Sequence, residues 1–99
     1  MDLQLEGKTA LVTGASRGIG EGTAKVLAQD GVKCVVSARR MELLENLADE
    51  IESAGGVRPT PISADLFQPG ATAKLAKDAE DALGSVDILV NSAGRSKNP

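Results

Sequence analysis

Four short apolar runs alternate with amphipathic, helix-length stretches along this chain, and that alternation constrains its fold more than any other feature. Residues 9–13, Thr-Ala-Leu-Val-Thr, are continuous and stopped by Gly14, as in a strand buried on both faces. Residues 33–38 and 86–91 repeat the pattern. The remaining run, 58–64, carries Pro59 and Pro61; each lacks an N–H, which confines the run to a sheet edge or a short paired segment. Between the runs, residues 18–30 place Ile19, Thr23, Val26 and Leu27 at helical spacing. Residues 40–53 align Leu43, Leu44, Leu47, Ala48 and Ile51 on one stripe, with Glu42, Glu45, Asp49 and Glu52 elsewhere. A third helix is expected over 70–83 along Thr72, Leu75, Ala79 and Leu83, opened by Pro69. Gly31, Gly55-Gly56 and Gly84 act as stops.

The order is therefore β-α-β-α-β-α-β. Strands alternating with helices make right-handed crossovers and a parallel sheet covered by helices. The expected class is α/β, part of a Rossmann-type doubly wound sheet with strand order 3-2-1-4, which puts the proline-bearing third strand at an edge. With 99 residues there is room for one domain, and 41% hydrophobic with 25% charged residues is an ordinary globular balance.

Composition removes several function classes. Phe67 is the only aromatic residue and the net charge is -3, whereas a nucleic-acid binder needs a basic face and usually stacking platforms. With no His and one Cys, histidine catalysis, metal clusters and a disulfide framework are excluded from these residues. Residues 1–8 lack a basic patch followed by a long apolar run, and no stretch approaches the roughly 20 apolar residues that cross a bilayer. The expectation is a cytoplasmic protein with neither nucleic acid nor membrane as partner, and the lone Cys34 fits a reducing compartment.

Thr13-Gly14-Ala15-Ser16-Arg17-Gly18-Ile19-Gly20 lies between the first strand and the first helix. Gly14 allows a sharp turn, Gly18 permits close approach of a phosphate, and Gly20, without a Cβ, lets the helix pack near the strand. The helix N-terminus then presents free N–H groups to a pyrophosphate. The bland alternative is a glycine-rich turn with no ligand. A Gly-Lys-Ser/Thr phosphate loop is excluded, since neither Gly18 nor Gly20 is followed by that pair.

The Thr-Gly-x-x-x-Gly-x-Gly spacing resembles the fingerprint of the short-chain dehydrogenase/reductase family. Asp65-Leu66 after the third strand is similar to the family's acidic adenine contact. Asn91-Ser92-Ala93-Gly94 resembles its Asn-Asn-Ala-Gly motif, with Ser92 departing at the second position. The resemblance implies that Gly14, Ser16, Arg17, Gly18 and Ile19 surround the phosphates and adjoining ribose. It also implies that Asp65 and Leu66 hold the adenine edge, and that Asn91, Ala93 and Gly94 shape the floor beneath the cofactor. For Asp65 the alternative is a solvated helix cap ahead of Pro69.

The end of the second strand bears on cofactor choice. An NAD site places Asp or Glu there to bind the ribose 2′-hydroxyl, but this chain has Ala38 followed by Arg39 and Arg40. Guanidinium groups match a 2′-phosphate, and Arg17 is expected to reach the same group. NADP(H) is therefore expected, with NAD(H) as the alternative; Arg40 reads equally well as the solvated start of the second helix.

Family members continue well beyond this length, and their catalytic Ser and Tyr-x-x-x-Lys lie further on. The expectation is the N-terminal dinucleotide-binding part of a single domain, truncated after the fourth strand, from an oxidoreductase acting on a small alcohol or carbonyl compound. No catalytic residue is assigned within these residues, which contain no Tyr and are not expected to turn over alone. The alternative is a non-catalytic dinucleotide-binding module used in sensing or assembly. An apolar fourth-strand edge further predicts a homo-oligomer or pairing with another polypeptide.

Overall fold

The computed structural model describes residues 5–92. Its elements are β1 (Thr9–Thr13), α1 (Gly18–Gln29), β2 (Lys33–Ala38), α2 (Met41–Ser53), β3 (Thr60–Ser63), α3 (Ala71–Leu83) and β4 (Ile88–Asn91). The strands form one parallel sheet in the order β3-β2-β1-β4. β1 and β2 match the expected runs residue for residue because alternating side chains are buried on both sheet faces. Ala10, Val12, Cys34 and Val36 meet α1 and α2 on one face, while Leu11 and Val35 meet Leu75 and Ala79 of α3 on the other.

Three boundaries differ from the sequence expectation. β3 covers four residues rather than 58–64, because only Thr60–Ser63 find register partners, on Val35–Ala38. Pro59 is fully buried yet outside the ladder, and Pro61 lies within an edge strand, where a missing N–H leaves no neighbour unpaired. β4 begins at Ile88; Asp87 instead turns back, its carboxylate accepting bonds from the Thr9 N–H (3.0 Å) and hydroxyl (3.2 Å). α3 begins at Ala71 after Gly70, whose φ of 77° is left-handed, so Pro69 precedes the helix without opening it.

The buried face of α1 is a larger correction. Ile19 and Val26 are 80% and 61% exposed, Leu27 of the same expected stripe packs half-buried against the core, and the fully buried residues are Gly20, Ala24 and Ala28. These recur every fourth residue and carry little or no side chain, which lets the helix axis lie close to β1 and β2. α2, by contrast, buries Leu44, Leu47, Ala48 and Ile51 as its stripe predicts.

Cys34 is a packing residue, 2% exposed, and burial pushes its thiol up to about 11. Only the thiolate reacts readily, so the native protein at pH 8 is expected to resist thiol reagents and to react fully once unfolded in guanidinium. Rapid labelling of the native protein would contradict this burial.

Candidate functional site

The carboxyl ends of the strands carry the loops that the sequence marks as functional, the location favoured for ligands in open α/β sheets. After β1 the chain turns at Gly14 (φ 66°), runs through Ala15, Ser16 and Arg17, and enters α1 at Gly18 (φ 62°). Both angles lie in the left-handed region that disfavours other residues. The Ala15 N–H donates to the Ser37 carbonyl at 3.1 Å, anchoring the loop to β2. Ser16 is half-buried, and Arg17, Gly18 and Ile19 are exposed.

Gly20 is fixed by space. A Cβ there would overlap the Gly14 carbonyl oxygen and lie 2.5 Å from Ser92 Oγ. At Gly18, by contrast, a Cβ would meet no atom within 4 Å, so the loop surface is open. Arg17, the residue before α1, is extended and no side chain caps the helix; its first N–H groups point to the open end with their share of positive dipole. The other two helices are also uncapped by side chains, so the distinction of α1 lies in the glycine loop before it. An open cradle of main-chain groups at a helix N-terminus fits a dinucleotide pyrophosphate.

The arginines divide. Arg40 pairs with Glu42, and that contact holds the Glu42 carboxyl below its ordinary range. This matches the solvated start of a helix. Arg39 and Arg17 have no carboxylate partner among the described residues, and both are exposed. The Arg39 carbonyl accepts a bond from Ser63 Oγ at 2.8 Å.

Asp65 follows β3 half-buried, and its Oδ1 accepts the Phe67 N–H at 3.1 Å. This is a local turn and not the helix cap offered as the alternative, since α3 begins only at Ala71, after Gly70, with no side-chain cap. The Leu66 side chain packs with the α3-side cluster, so its main-chain N–H is what it can offer a ligand. Asp65 also lines a cavity of about 200 Å³ between β3 and α3, with Ile62, Ala64, Gln68, Lys74 and Leu75.

At β4, Asn91 lies in register with Thr13, whose hydroxyl donates to Asn91 Oδ1 at 3.0 Å. Ser92 Oγ donates to the Thr13 carbonyl at 2.7 Å, tying the ends of β1 and β4 together beneath Gly20. Ala93 and Gly94 lie outside the described residues. Sequence inspection missed the roles of Ser63 and Ser92, since neither falls at a position whose residue type alone indicates a contact. Beside Thr13 in register, Ser37 Oγ is buried without a hydrogen-bond partner among the described residues, a donor that a ligand or water can satisfy. Among the described residues no group of three or more His, Cys, Asp or Glu could hold a metal ion, and no helix is long and apolar enough to cross a membrane.

Comparison with known proteins adds to this geometry. The sequence profile described as short chain dehydrogenase matches residues 8–99. A short chain dehydrogenase of Pseudocercospora fijiensis is 45% identical over 91 residues, covering 92% of this chain and 29% of the fungal protein. The structure of L-sorbose reductase from Gluconobacter frateurii, complexed with NADPH and L-sorbose, superposes with a TM-score of 0.89 at 33% identity, over all of this chain and 38% of that one. A metagenomic short-chain oxidoreductase in complex with NADP gives 0.84 at 41% identity, over 91% of this chain and 40% of that one. The chain thus spans about a third of the length of most of the curated relatives it matches.

Proposed function

The chain belongs to the short-chain dehydrogenase family, and we propose that it forms the NADP-binding, N-terminal part of a single Rossmann-type domain in an oxidoreductase. Hydride would pass between the nicotinamide, which supplies that chemistry when bound, and an alcohol or carbonyl group of a small molecule. One observation carries the cofactor choice. Among the described residues Arg17 and Arg39, which follow the carboxyl ends of β1 and β2, have no carboxylate partner, and after β2 an NAD site would offer an acid. Two guanidinium groups without carboxylate partners suit a 2′-phosphate and leave a bare 2′-hydroxyl without an acceptor. NADP(H) in two of the solved relatives supports this choice.

In this arrangement Gly14, Ser16, Gly18, Ile19 and Gly20 surround the pyrophosphate and adjoining ribose, with the first-turn N–H groups of α1 as donors. Asp65 and Leu66 hold the adenine edge. Asn91, followed by Ala93 and Gly94, forms the floor. Arg40, engaged by Glu42, is secondary. These 99 residues contain no tyrosine phenol to give a proton to a substrate carbonyl. Titration of NADPH and NADH into the full protein, followed by a panel of aldehydes and ketones, tests the proposal. Tighter NADPH binding and NADPH oxidation by at least one carbonyl compound are expected. A preference for NADH would overturn the cofactor assignment, and binding without turnover on any compound would favour a sensing or assembly module.

A further inference from the structure

We propose that Ser63 is a positioning residue for cofactor choice, its hydroxyl holding the β2–α2 turn so that Arg39 faces the 2′-phosphate, a role that rests on the NADP-binding function proposed above. Ser63 is the last residue of β3, whereas Arg39 lies in the turn between β2 and α2. The parallel ladder between β2 and β3 ends at the Ala38–Ser63 pair, with the Ala64 N–H bound to the Ala38 carbonyl at 2.9 Å. The first bonds of α2 start one peptide later, where the N–H groups of Leu43 (3.2 Å) and Leu44 (3.4 Å) donate to the Arg40 carbonyl. The carbonyl of Arg39 falls between these two systems, beyond the last ladder bond and before the first helical one. The Ser63 hydroxyl binds it at 2.8 Å.

Holding that carbonyl fixes the plane of the 39–40 peptide and so ψ of Arg39; with the 38–39 peptide held by the Ala64 N–H on the Ala38 carbonyl, the direction of the Arg39 Cα–Cβ bond is set. Among the described residues no carboxylate pairs with the side chain beyond to steer it, so the turn is its main source of order. Preorganisation of this kind appears in affinity, because an arginine that must be ordered on binding gives up part of its contact energy. Ser63 is exposed, so the bond lies outside the core, and its loss is local.

Ser63→Ala in the full protein is expected to weaken NADPH binding about 2- to 12-fold, the worth of one net hydrogen bond, with NADH affinity unchanged. Ser63→Thr, which keeps the hydroxyl, is expected to bind both cofactors as wild type does. In an Arg39→Ala background the additional Ser63→Ala change is expected to have no further effect, as a double-mutant cycle requires if the serine acts through the arginine. Should Ser63→Ala be too unstable to titrate, Ser63→Val supports the strand, lacks the hydroxyl and carries the same test. Equal losses for the two cofactors would show a merely structural role and overturn the inference. Unchanged NADPH affinity in Ser63→Ala, with Arg39→Ala weakened, would overturn it while leaving the NADP assignment standing. An Arg39→Ala protein that binds NADPH as wild type does would remove both.

Discussion

Arg39→Asp in the full protein is expected to weaken NADPH binding about 10- to 150-fold and to move preference toward NADH. A charge-assisted hydrogen bond from a guanidinium to a phosphate contributes roughly 1.5–3 kcal/mol, which sets that range. Repulsion between the new carboxylate and the 2′-phosphate adds to the loss. For NADH the same carboxylate accepts the ribose 2′-hydroxyl proton, so its affinity should hold or improve. Arg17 retains part of the phosphate contact, which favours the lower end of the range. Arg40 adds little, because Glu42 occupies it. Titrating both cofactors against wild type and variant decides the matter: a variant that keeps its NADPH selectivity would show that Arg39 does not bind the phosphate.

The second large effect is a change of sign between two glycines of one helix. Gly20→Ala puts a methyl group against the Gly14 carbonyl and Ser92 Oγ. Neither yields easily, since the first is backbone of a left-handed turn and the second is bonded to Thr13. Overpacking of this kind costs roughly 1–3 kcal/mol, and the better helix propensity of alanine returns at most about 1 kcal/mol. Net destabilisation is expected, together with weaker binding of both cofactors, because the Gly14 carbonyl belongs to the glycine loop proposed to hold the pyrophosphate. Gly22→Ala, two residues along the same helix, meets nothing within 4 Å and is expected to stabilise by about 0.4–1 kcal/mol. Denaturant unfolding of the two variants beside wild type measures both effects. Equal behaviour would mean that α1 does not pack on Gly14 as described.

These two substitutions also show where sequence inspection stops. The glycines at 14, 18 and 20 and the arginines at 17, 39 and 40 are all visible as residue types at a spacing. Which of those arginines is unpaired is not visible. Arg39 and Arg40 are adjacent and chemically identical, yet one faces open solvent and the other meets Glu42 across the start of α2. Asp65 is similarly divided: it is both a turn-forming residue and an acid at a strand end, and its Oδ1 accepts the Phe67 N–H. Ala93 and Gly94, named from the family resemblance, fall outside the described residues.

The sequence by itself determined the succession of strands and helices, the burial of β1 and β2 on both faces, the place of β3 at an edge, and the strand order 3-2-1-4. The first three follow from local rules, since continuous apolar runs bury on two faces and proline withholds an N–H; the strand order follows from the doubly wound dinucleotide fold to which the alternation points. The tertiary structure decided what depends on distance between segments far apart in the chain. It turned α1 so that Gly20, Ala24 and Ala28 face the sheet while Ile19 and Val26 face out, because close approach of a helix to a strand selects for small volume rather than hydrophobicity. It joined Ser63 to Arg39, 24 residues away, and Ser92 to Thr13, 79 residues away. A serine is too common and too adaptable a donor for its partner to be read from its neighbours, so only the folded sheet brings those hydroxyls to the carbonyls they hold.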